Sequence, residues 1–142
     1  LTQSYSKAPY FQQHFPALEQ VLSTPYEKLL DLNLATFRWL TEALEMPWKV
    51  QRSSQLGIDG RKTERLVAIC QKFKATEYLT GDAARDYLEE DKFQEVGVTV
   101  RWHNYDHAVY DQGRGEFVPY LSVVDLLFRH GPRSREILRK SQ

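Results

Sequence analysis

Trp102, His103, Asn104, Tyr105, Asp106, His107 and Tyr110 fall within one short stretch of the chain. Imidazole titrates near neutral pH, and a carboxylate beside it can orient the ring and stabilise its protonated form. His103 or His107, with Asp106 as the orienting group, is therefore a candidate general acid–base pair. The competing reading for either ring alone is a loop histidine satisfied by backbone. The two histidines stand at positions i and i+4, a spacing that lets two imidazoles share a metal on a helix. The segment lacks a helical pattern, however, and His14 and His130 lie far off in sequence, so no metal site is expected. Trp102, Tyr105 and Tyr110, with Tyr120, can stack on a sugar or base ring, or equally wedge the loop against a sheet. Arg114 and Glu116 sit beside Gly113 and Gly115, a stretch expected to close over a ligand.

A second constellation is Gly57-Ile58-Asp59-Gly60-Arg61-Lys62-Thr63. Backbone donors at a helix start, flanked by Arg61 and Lys62, suit an anion. A true phosphate-binding P-loop needs four residues between its glycines and a Lys directly after the second. Here two residues intervene and Arg61 displaces Lys62, so that motif is rejected. The site residues expected from this loop are Gly60, Arg61, Lys62 and Thr63, against the plainer reading of a flexible turn ending in a Thr63 cap. Ser122 and Asp125 fit the spacing of a capping box ahead of Leu126, Leu127 and Phe128, which accounts for both without chemistry. Cys70 shares helical spacing with Leu66, Ile69 and Phe73 and reads as a small apolar filler.

The elements that must position these groups follow from periodicity. Residues 9–22 read as a helix kinked or restarted at Pro16. Thr24, Pro25 and Glu27 have the pattern of a capped helix start, and Leu30, Leu34, Phe37, Leu40 and Leu44 recur at helical spacing as the spine of a core. Residues 48–54 are expected as a strand, 63–74 as a helix, 76–80 as a strand and 82–90 as a helix with Asp82 as N-cap. A helical turn at 91–95 ends at Gly97, and Val98, Val100 and Trp102 alternate on one face of a strand. Helices over 122–129 and 134–140 complete the chain. Alternating strands and helices predict an α/β fold: a small, mainly parallel sheet with right-handed crossovers, flanking helices and a helical N-terminal segment. One domain over 1–142 is expected, with 1–47 packing on 48–142. Open sheets of this kind bind ligands at the carboxyl ends of their strands. Thr80, Asp82 and Arg85 are thereby expected on one edge with the histidine loop and the glycine loop.

Lys and Arg number 19, as do Asp and Glu, so net charge offers nothing to nucleic acid or an anionic membrane. No apolar run approaches the ~20 residues of a bilayer span. One cysteine forms no internal disulfide, which suits a reducing cytoplasm. The chain opens on Leu1 rather than Met, and three short strands make a small sheet. The first predicts a processed chain or a fragment of a larger α/β domain, and the second predicts further strands before Leu1 or a sheet completed by a partner.

Further strings carry a resemblance. Lys7-Ala8-Pro9-Tyr10-Phe11, Leu30 to Ala35, Gly60 to Leu66, Tyr78-Leu79-Thr80-Gly81, Gly115 to Ser122 and Asp125 to Phe128, in that order, resemble the WbqC-like family of bacterial proteins. Thr80 stands where the family pattern has Ser, which keeps a hydroxyl. The resemblance implies cytoplasmic work in the biosynthesis of O-antigen lipopolysaccharide and similar surface polysaccharides, near nucleotide-activated amino sugars. It implies also an N-terminal segment beginning Met-Gln-Pro that this chain lacks. The expected ligand is a small molecule, a nucleotide such as ATP or a nucleotide sugar, and the expected activity is group transfer to an amino sugar. A non-catalytic module gripping a pathway partner, or a homo-oligomer, is the rival expectation.

Overall fold

Two apolar clusters organise the chain, each with its own helices. The computed structural model describes residues 1–113 and 115–140. The chain divides into two compact units, one formed by residues 1–49 with 106–142 and the other by residues 50–105. Among the described residues, no helix is long and apolar enough to cross a membrane.

In the first unit, α1 (Thr2–Tyr5), α2 (Phe11–Ser23) and α3 (Leu29–Ala43) are followed, after the second unit, by α6 (Val123–His130) and α7 (Ser134–Arg139). Phe11, Leu18, Trp39, Leu44, Leu127 and Phe128 form its core. Phe11 stacks on Phe15 at 4.5 Å and meets Phe128 edge-on at 5.1 Å. That packing explains why α2 continues through Pro16 instead of restarting there. One intrahelical bond is lost, and the aromatic contacts on either side hold the axis.

The expected cap at Thr24 is wrong. Pro25 forces the preceding residue out of the helical region, so Thr24 ends α2 in an extended conformation and its hydroxyl donates to the Gln20 carbonyl at 2.7 Å. The next helix starts at Leu29, without a side-chain cap. Its buried residues are Trp39 and Thr41, whereas Leu30 and Phe37 of the expected spine are exposed. Glu45 ends α3 in the left-handed region, with Met46 N–H returning to the Thr41 carbonyl at 2.8 Å. Arg135 of α7 donates to the Glu45 carbonyl at 2.8 Å.

The second unit holds α4 (Lys62–Lys72), β1 (Glu77–Gly81), α5 (Glu90–Gln94) and β2 (Thr99–His103). The strands pair in parallel, with Glu77 opposite Thr99 and Gly81 opposite His103. The fold is thus a small α/β arrangement with a two-stranded parallel sheet. Residues 48–54 do not form the third expected strand. Val50 is their single strongly β-favouring residue, and Trp48 packs instead on Phe37 at 5.5 Å, with Arg38 over its ring. Val67 and Cys70 of α4 close on Phe93 of α5 and Val98, and Tyr78 stacks on Phe93 at 4.9 Å. Cys70 is buried there, and burial pushes its thiol pKa up. The expected helix over 82–90 shortens to one 3₁₀ turn, Asp82–Ala84, with Gly81 rather than Asp82 in the cap position.

Candidate functional site

The expected site residues belong to both units and form two sets. In the second unit, register places Thr80 opposite Trp102 and Gly81 opposite His103, at the carboxyl ends of both strands. Arg85 lies 4.3 Å over the Trp102 ring while its Nε donates to Asp82 Oδ1 at 2.8 Å. Trp102 Nε1 donates to Glu90 at 3.2 Å. One face of the indole is therefore already covered by a cation, and its polar edge is engaged. His103 and Tyr105 stack at 5.8 Å.

At the glycine loop, Gly60 and Lys62 both have positive φ, which turns the chain sharply into α4. Arg61 and Lys62 are exposed, but Thr63 is buried and its hydroxyl accepts from the Glu89 N–H at 3.3 Å. Two cations absent from the expected set shape this loop. Arg65 donates to the carbonyls of Ile58 and Ser53, and Lys72 donates to that of Leu56. Their spacing along α4 offers the sequence signal, since long basic side chains reach back toward the turn before a helix.

In the first unit, Asp106, His107 and Tyr110 line a cavity of about 680 Å³ together with His130, Arg133 and Lys140. Its size falls in the range of small-molecule sites. The Nδ1 of His107 lies 3.0 Å from the Ala108 carbonyl. A carbonyl can only accept, so Nδ1 is the donor in this contact. Tyr110, Phe117 and Tyr120 surround that ring at 6.5, 5.8 and 5.5 Å. His130 contacts Tyr110 edge-on at 5.5 Å, and its Nε2 donates to the Asp111 carbonyl at 2.8 Å. Lys140 pairs with Glu136 at 2.7 Å. Glu116 is exposed. Arg114 lies outside the described residues.

Asp125 departs from the capping reading. Ser122 does cap α6, accepting from the Val124 N–H at 3.3 Å. The Asp125 side chain, however, is only 1% exposed and receives Arg129 Nε at 2.9 Å. Its other oxygen accepts the Tyr110 hydroxyl at 2.9 Å, and burial, helped by the nearby Asp125 charge, raises the Tyr5 pKa. Burial, together with this bond, pushes the Tyr110 pKa up to about 12. The available signal was an Asp–Arg pair four residues apart inside an otherwise apolar helix. Nothing in the local sequence marks Tyr5 as a neighbour of Asp125. Among the described residues, no cluster of three or more His, Cys, Asp or Glu is arranged to hold a metal ion.

The fold and this site define a small α/β protein with a cavity lined by two histidines, a tyrosine and charged side chains of both signs. The chain belongs to the WbqC-like protein family, whose profile matches residues 1–137. It is 33% identical over 138 residues to the uncharacterized protein Rv1507c of Mycobacterium tuberculosis. That alignment covers 96% of this chain and 60% of the mycobacterial protein, so the chain spans less than two thirds of its relative's length. No solved structure matches it.

Proposed function

We propose that this chain is the part of a WbqC-like protein that binds a nucleotide-activated amino sugar during assembly of bacterial surface polysaccharide such as O-antigen. The observation that carries this reading is the 680 Å³ cavity in which Asp106, His107 and Tyr110 meet Arg133 and Lys140. Arg133 and Lys140 offer charge to a phosphate, and the Tyr110 and His107 rings offer faces to a sugar or base. His107 would take the proton from the attacking amine or hydroxyl in a group transfer, with Asp106 stabilising the imidazolium. The bond between the transferred group and its donor breaks meanwhile, and the donor leaves with the electron pair. Within the second unit, Arg61 and Lys62 with the Gly60 backbone, together with Thr80, Asp82, Arg85, Trp102, His103 and Tyr105, are proposed as a second set of ligand-binding groups. The relative's greater length leaves room for other parts of the site.

A thermal-shift screen with ATP and a panel of uridine- and thymidine-diphosphate amino sugars tests the proposal. Ligand at a hundredfold its dissociation constant stabilises a protein by about 2.7 kcal/mol, a readily measured rise in Tm. His107→Ala and Arg133→Gln should each weaken that response, and Lys62→Ala tests the second set. A flat response of the unaltered protein to every member of the panel would remove the reading.

A further inference from the structure

The Asp125 network opens onto a second cavity, of about 560 Å³, lined by Tyr5, Lys7, Gln112, Gly113, Asp125 and Arg129 among others. Its chemistry differs from that of the histidine cavity. Arg129 is 24% exposed and is held on three sides. Its Nε is spent on Asp125 at 2.9 Å, and its guanidinium carbon stands 5.7 Å over the Tyr5 ring. A Cβ at Gly113 would come within 2.6 Å of Arg129 Nη1, so a side chain there would push the guanidinium aside. Gly113 also has φ +79, and its N–H bonds to Asp111 Oδ1 at 2.7 Å. The loop behind it is pinned by Gln112, which exchanges two hydrogen bonds of 2.9 Å with the Val118 backbone.

An ion pair with one buried and one half-buried partner is a poor device for stability alone, because desolvating its charges offsets much of their attraction. Here its effect is to fix a planar fork at the wall of a polar cavity. Using Nε internally leaves the Nη edge as the donor surface, and two parallel N–H groups match the two oxygens of a carboxylate. Charge narrows the class further. Lys7 and Arg129 are cationic and Asp125 is anionic, so these three groups sum to one positive charge, which a single monoanion neutralises. Ser4 and Ser6 on the same lining supply hydroxyls for other polar groups of the ligand.

We propose that this cavity is a separate binding site for a carboxylate-bearing, hydroxylated small molecule, with Arg129 and Lys7 receiving the carboxylate and Asp125 positioning Arg129. Asp125 touches the guanidinium rather than the ligand and is a positioning residue. The site is independent of His107 and of the sugar-nucleotide reading.

The test is a nuclear magnetic resonance titration of the full chain with sodium D-glucuronate, following the Arg129 Nε–Hε signal against sodium chloride at matched ionic strength. The expected result is a saturable shift with glucuronate and none with chloride. Lys7→Gln, at an exposed position, should weaken the apparent affinity about tenfold, one lost charge contact. Asp125→Asn should retain a folded spectrum with weaker binding, and His107→Ala should bind glucuronate as the unaltered protein does. An unmoved Arg129 signal overturns the proposal. So does an equal shift with chloride, an affinity unchanged in Lys7→Gln, or a response to inorganic phosphate in place of glucuronate.

Discussion

The Tyr110 hydroxyl donates to Asp125 Oδ2 at 2.9 Å, tying the 106–122 loop to α6 through a carboxylate that solvent barely reaches. The ring of Tyr110 lines the histidine cavity while Asp125 lines the other, so a single bond sets part of the shape of both.

Tyr110→Phe deletes that donor and leaves a buried acceptor short of a partner. The expected cost is about 1–3 kcal/mol, read from the midpoint of urea unfolding. A pH effect accompanies it. The folded-state pKa, near 12, lies above the ordinary 10.0, so folded protein keeps a proton that unfolded protein loses. Stability should therefore fall as pH rises above 10 toward 12 in the unaltered protein, and Tyr110→Phe should lack that component.

His14 is buried in α2, and its Nε2 has no hydrogen-bond partner among the described residues. Burial lowers its pKa below the ordinary 6.5. Below pH 6.5 the unfolded chain takes up a proton that the folded chain refuses, so stability is full above that value and declines as pH falls toward the folded pKa. The slope from this group is at most about 1.4 kcal/mol per pH unit. Thermal unfolding of His14→Leu from pH 7.5 downward should be flatter than that of the parent. Parallel curves would assign the acid sensitivity elsewhere.

Gly131 follows α6 with φ +49, and a Cβ there would run into the Tyr10 ring. Tyr10 is itself tied to α6, its N–H donating to the Phe128 carbonyl at 2.9 Å. Gly131→Ala must therefore displace a ring that borders the core and also strain the backbone. A loss of roughly 1–3 kcal/mol is expected by chemical denaturation. The companion Tyr10→Ala change should relieve part of it, as a double-mutant cycle would reveal.

Lys74 gives the opposite sign. It ends α4 at φ +51, with its N–H on the Gln71 carbonyl and the Ala75 N–H on that of Cys70. Glycine adopts this conformation without the steric cost that a Cβ incurs, about 1 kcal/mol. Lys74→Gly should therefore raise Tm, whereas Lys74→Val should lower it. Equal melting temperatures would show that the helix end has relaxed away from this geometry.

The class of fold was legible because local pattern dominates where strands alternate and helices are apolar on one side. The β2 alternation of Val100 and Trp102, the Ser122 cap and the buried face at Val67 and Cys70 are all features of this kind. Misreadings arose where one residue had two local uses. Thr24 has the chemistry of an N-cap, but Pro25 makes it a helix end. Asp125 sits at capping-box spacing, yet the half-buried Arg129 and the Tyr110 hydroxyl claim its carboxylate.

What the amino-acid order determined by itself was the set of chemical groups, the periodicity of the helices and the places where glycine must turn the chain. Which groups meet was decided only by tertiary packing. Tyr5, Tyr110 and Asp125 are far apart in sequence and come together because the helices bearing Phe11, Phe15 and Phe128 close on a shared apolar core. Apolar burial is non-directional, so a hydrophobic pattern commits helices to pack without stating which polar atoms will face one another when they do. Hydrogen bonds, being short and directional, then select among the close approaches that the packing allows.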